Sequence, residues 1–129
     1  MSNGPTSDWD RLVAIAQTVV ESTLDALPKR LQTESRGLPI TYEGRPNRAL
    51  IADGIESDTL GLFVGDSFAD KGITDSPLPS QVILFLRNIW ELAEGDEPTY
   101  RHEVRTTLLH ELGHYLGLDE EGLTERGLD

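Results

Sequence analysis

The run His110-Glu111-Leu112-Gly113-His114-Tyr115-Leu116-Gly117-Leu118-Asp119-Glu120 carries the residue types that hold a metal ion and move a proton. On a 3.6-residue helix, positions four apart lie about 40° from each other, so the imidazoles of His110 and His114 reach one ion from the same face. Glu111 projects about 100° round from His110, beside that ion rather than onto it. A zinc ion with an open coordination position lowers the pKa of a water to about 7, and a neighbouring carboxylate takes its proton during attack on a carbonyl. The spacing therefore predicts His110 and His114 as metal ligands and Glu111 as the general base.

Two imidazoles do not complete a catalytic zinc site, which takes three protein ligands and leaves the fourth position to water. Gly117 supplies the means for a third, because glycine adopts positive φ at a helix end and turns the chain back beneath the ion. Glu120 stands ten residues after His110, with Asp119 immediately before it. Carboxylate oxygen ligates zinc, so either acid can serve.

The pattern His-Glu-x-x-His-x-x-Gly-x-x-acid resembles that of the zincin metallopeptidases, with a carboxylate where metzincins carry a third histidine. The chain is most similar to a family of small bacterial zincin-like metallopeptidases of about this length. The likeness runs through an amphipathic first helix, short strands, the segment Val82 to Leu86, and the helix Glu103-Val104-Arg105-Thr106-Thr107-Leu108-Leu109-His110-Glu111. It implies an α+β fold of one minimal zincin-like domain over residues 1–129: an N-terminal amphipathic helix, a small mixed β-sheet and a C-terminal active-site helix. It also puts the third ligand at Glu120, where aspartate is the family's usual residue. Met1 is the only methionine, so no residue is available for the methionine turn of metzincins. The nine residues after Glu120 are too few for a glutamate-bearing helix of the thermolysin kind.

Stepping outward, 129 residues allow one domain with a single core. The absence of cysteine removes disulfides, thiolate metal sites and cysteine nucleophiles together. Net charge is −12, from 23 acidic against 11 basic residues, a field that disfavours nucleic acid and anionic membrane surfaces. The first ten residues are polar and acidic, unlike a signal peptide, and no apolar run reaches the roughly 20 residues of a membrane span. A cytoplasmic protein is the expectation.

Along the chain, Met1 to Thr6 reads as a frayed arm, and Ser7 as the cap of a helix with Asp8 and Asp10 in its first turn. Trp9, Leu12, Val13, Ala16, Val19, Val20, Thr23, Leu24 and Leu27 share its apolar face. Pro28 breaks that helix, and Lys29 to Glu34 forms a further turn. Leu38 to Glu43 and Thr59 to Gly65 read as strands; Ala49 to Ala52 is a third, short candidate ending in an Asp53-Gly54 turn. Asp66 to Ser80 is a long loop placed to frame a cleft. The continuous apolar run in Gln81 to Leu86 predicts a strand buried on both faces. A short helix over Asn88 to Ala93 follows, and the active helix starts near Thr99 or Tyr100. In that helix Val104, Leu108, Leu109, Leu112, Tyr115 and Leu116 form the core face, while His110, His114, Thr107 and Glu103 cluster on the other. His102 belongs to the surface. Arg105 falls among the apolar residues and must snorkel or meet an acid.

These readings point to a zinc-dependent peptidase acting on a peptide or protein substrate, with no nucleic-acid or membrane partner. The resemblance implies a substrate lying extended along an edge strand, for which Thr59 to Gly65 is the candidate; Tyr42, Tyr100 and Tyr115 are candidate oxyanion donors, with Tyr115 expected rather to pack in the core. The rival is a non-catalytic metal-binding or protein-interaction module that keeps the same fold.

Overall fold

A computed structural model of the chain describes residues 8–65 and 80–117. The expected arm Met1 to Thr6, the Ser7 cap, nearly all of the long loop, and both Asp119 and Glu120 lie outside the described residues. Helix α1 spans Asp8–Asp25 and buries Leu12, Ile15, Ala16, Val19, Val20 and Thr23 along one side. A lone helix of this length is marginal in water, whereas each fully buried Leu, Ile or Val side chain contributes about 1.5–3 kcal/mol, so the apolar stripe and not local propensity holds α1 in place. After Pro28, α2 occupies Lys29–Ser35 and adds Leu31 to the core.

Strand β1 (Ile40–Glu43) follows, and then α3 (Arg48–Ala52). The expectation of a strand at Ala49 to Ala52 is corrected here. The Asn47 side chain accepts a 2.9 Å hydrogen bond from the Leu50 amide and starts a helical turn, and none of α3 is buried, so no sheet neighbour competes with that cap. Gly54, at φ 98°, then makes the expected turn.

Strands β2 (Gly61–Val64) and β3 (Gln81–Phe85) complete a mixed sheet of order β1-β3-β2. Strand β3 is central, parallel to β1 with Ile40 opposite Val82, and antiparallel to β2 with Gly61 opposite Leu84. Val82 and Leu84 are wholly buried, but Gln81 and Ile83 on the alternate face are half-buried, so only one face of the best strand is fully covered.

The chain runs straight from β3 into α4 (Leu86–Leu92), turns at Glu94 and Gly95, both at positive φ, and enters α5 (Glu97–Tyr115). This last helix begins two to three residues earlier than the apolar pattern suggests. The Asp96 carboxylate accepts from the Thr99 amide, and Pro98 sits in the first turn, where its missing N–H has no intrahelical partner to lose. Helix α5 touches α1, α4, β2 and β3. It is therefore walled by α1 on one side and by the sheet on another, with Tyr100, Val104, Leu108, Leu109, Leu112 and Tyr115 in the core. Among the described residues this makes five helices and one three-stranded sheet, an α+β fold.

Candidate metal centre

Helix α5 does for the two histidines what the spacing requires. His110 and His114 are both exposed, and their ring centroids lie 4.9 Å apart with the planes at 88°. Neither ring is lodged in the core, because the opposite sector of the helix takes up the apolar burial. Glu111 between them is 9% exposed. One ligand atom from each of His110, Glu111 and His114 falls within 4.8 Å of the others. Two ligands about 2.0–2.1 Å from one tetrahedral ion lie about 3.4 Å apart, so small side-chain rotations would bring the two imidazoles onto one zinc with Glu111 beside it. Two imidazole nitrogens with carboxylate oxygen suit that metal. The expected third ligand, Glu120 or Asp119, lies beyond the described residues, but the turn that leads to it is visible: Gly117 has φ 74° directly after the helix.

The centre opens into a cleft of about 260 Å³ lined by Leu60, Gly61, Glu103, Thr106, Thr107, His110 and Glu111. One wall is α5 and the other is β2, one of the two outer strands of the described sheet. A larger cleft of about 390 Å³ lies between α1 and α5, but its lining of Val19, Leu27, Leu109, Arg101, His102 and Arg105 among others lacks the His-Glu-His set. That second cleft resolves the placement of Arg105, which is exposed at its rim and has no acidic partner among the described residues; the side chain snorkels across the apolar surface. His102 is exposed, as expected.

The tyrosines do not join the centre. Tyr100 is buried and donates to the Leu12 carbonyl at 2.9 Å, tying α5 to α1, and burial holds its hydroxyl far above the usual range. Tyr115 is wholly buried with its ring 5.7 Å from that of Phe63. Tyr42 sits on β1, separated from β2 by the central strand, where burial and the nearby Glu21 charge raise its hydroxyl. The expectation of a tyrosine oxyanion donor is thus corrected: none of the three lines the cleft. Core packing claimed the aromatic bodies, and a hydroxyl that caps a helix carbonyl is no longer available to substrate.

The residue that sequence reasoning passed over is Gly61. A glycine inside a strand signals close backbone approach, and here β2 meets α5 at that point.

Comparison with protein families matches residues 35–128 to the zincin-like metallopeptidases. No curated protein is similar enough to count as a match. The matched stretch includes all three strands, the two glycines at the turn and wall of the cleft, and the whole of α5 with its His-Glu-His set. Most of the chain is thereby accounted for by one family pattern, with the His-Glu-His helix inside it, and the chain belongs to the zincin-like metallopeptidase family.

Proposed function

We propose that the protein is a zinc-dependent peptidase. His110 and His114 hold the ion together with Glu120, or Asp119 in its place, and Glu111 is the general base. The observation that carries this reading is the convergence of three donor side chains within 4.8 Å at an open cleft beside an outer strand. A zinc ion there supplies Lewis acidity, which acidifies water and polarises a carbonyl. Glu111 takes a proton from the attacking water and passes it to the leaving amine. Its burial between α5 and β2 keeps the carboxylate close to the reacting atoms while the histidines face outward. An extended peptide can add through backbone hydrogen bonds to the edge of β2 that no described strand covers, which suits a peptide or protein substrate.

The test is Glu111→Gln. Zinc content is expected to stay stoichiometric while peptide hydrolysis falls by about 10²–10⁴-fold, the usual contribution of general acid–base catalysis. Equal hydrolysis by the variant would remove the peptidase reading. Less than one zinc per chain after supplementation would instead favour the non-catalytic module. Zinc affinities of Glu120→Ala and Asp119→Ala identify the third ligand as the one whose loss weakens binding more.

A further inference from the structure

Strand β2 reaches α5 at a position without a side chain. A β-carbon on Gly61 would stand 2.6 Å from Cγ2 of Thr107 and 3.2 Å from Cγ of Glu111. The first contact is far inside van der Waals separation, and Thr107 has little room to yield: it is 7% exposed and, on a helix, its χ1 is limited to two rotamers. The second contact falls on the stem of the proposed base. Glu111 is 9% exposed, and its stem packs against the backbone at residue 61.

We propose that Gly61 is a positioning residue: its lack of a side chain lets β2 close on Thr107 and on the stem of Glu111, and this contact sets how the Glu111 carboxylate enters the cleft. The claim rests on the reading of Glu111 as the base. It assigns Thr107 a role as the spacer between strand and base, and it makes the helix-to-strand distance a determinant of turnover without adding a ligand to the metal.

The full-length chain with Gly61→Ala tests it. With zinc bound, kcat is expected to fall about 10²-fold with KM changed no more than about threefold, the pattern of a contact that matters only in the transition state. Zinc affinity should hold, since the atoms nearest the new methyl belong to Thr107, Glu111 and the Ile83 carbonyl. Gly61→Ala/Thr107→Ser removes the Cγ2 that the methyl strikes and should recover most of the lost kcat. Crystal structures of the two variants should show the Glu111 side chain displaced in the first and returned in the second. An undisplaced Glu111 with unchanged kcat in Gly61→Ala would overturn the proposal, as would a double variant no better than the single one. Should Gly61→Ala fail to fold, Thr107→Ala decides: a loosened Glu111 side chain and reduced kcat support the spacer role, and wild-type values for both refute it. If the wild-type protein cleaves no peptide, the assignment of Glu111 as base falls, while the crystallographic comparison still settles whether residue 61 directs that side chain.

Discussion

Asn88 shows how a single buried polar side chain reaches the cleft without touching it. It is 5% exposed, donates to the carbonyls of Ser57 and Thr59 at 2.8 and 2.9 Å, and accepts from Arg45 at 2.9 Å. Every hydrogen-bonding atom of the amide is used, which is the condition under which a buried amide stabilises rather than destabilises. The two carbonyls belong to the segment that leads into β2, so Asn88 pins the start of the strand whose Gly61 abuts Glu111. Asn88→Ala strands both carbonyls and is expected to cost about 2–3 kcal/mol, at roughly 1–1.5 kcal/mol for each lost bond. Urea denaturation of variant and wild type measures it, and a difference below 0.5 kcal/mol on that scale of net hydrogen-bond strengths would show that the segment is held by packing instead.

Among the elements, α5 and the glycine that follows it set the candidate metal centre. The helix fixes the angle between the histidines, and Gly117 leaves it in the left-handed region, with nothing among the described residues within 4 Å of the position a β-carbon would take. A residue with a side chain is opposed there by backbone strain. That strain is about 1–2 kcal/mol. Gly117→Val is expected to weaken zinc binding by about tenfold if the acid-bearing turn absorbs the strain, since about 1.4 kcal/mol is tenfold in affinity. Titration with a competing chelator reads this directly. Unchanged affinity together with lowered thermal stability would place the strain in the helix end and not in the metal centre.

At the scale of the molecule, ion pairs among the described residues stand at the junction of α1 and α5, at α4 and within α2. Hydrogen bonds from Arg11 and then Arg101 hold the Glu97 carboxyl below its ordinary value of 4.5, and Arg45 does the same for Glu91. The Thr99 side chain and amide lower Asp96 from 3.8. Groups with depressed folded-state pKa bind fewer protons when folded, so their stabilisation is complete above about pH 4.5 and is lost as pH falls through the depressed values. All three are solvent-exposed, and exposed pairs are weak. The expected outcome is a melting temperature insensitive to these groups between pH 7 and 5 and declining below about pH 4.5. Substituting Glu97→Gln should flatten that acid decline; an unaltered profile would mean that its two arginine contacts do not contribute to folding.

The centre on α5 was legible in the sequence because helical periodicity is a local property: His110, Glu111, His114 and the core face of Val104, Leu108, Leu112 and Tyr115 follow from an angle of about 100° per residue. The positive φ of Gly117 was legible for the same reason, since a glycine at a helix end needs nothing distant to adopt it. Where two segments must meet, the one-dimensional pattern was blind. Ala49 to Ala52 looked like a strand because it is apolar, but a strand needs a neighbour, and with none present the Asn47 cap made it helical. Tyr100 looked free to bind substrate until α1 offered it the Leu12 carbonyl. The sequence by itself determined that His110, Glu111 and His114 gather on one side of α5 as a group able to hold a metal ion. Only the tertiary structure decided that β2 forms the facing wall and that Gly61, twin to Leu84 in the sheet, brings bare backbone onto the proposed base. The physical reason is that helix geometry is set by neighbouring residues, whereas the distance between a strand and a helix is set by the atoms of both.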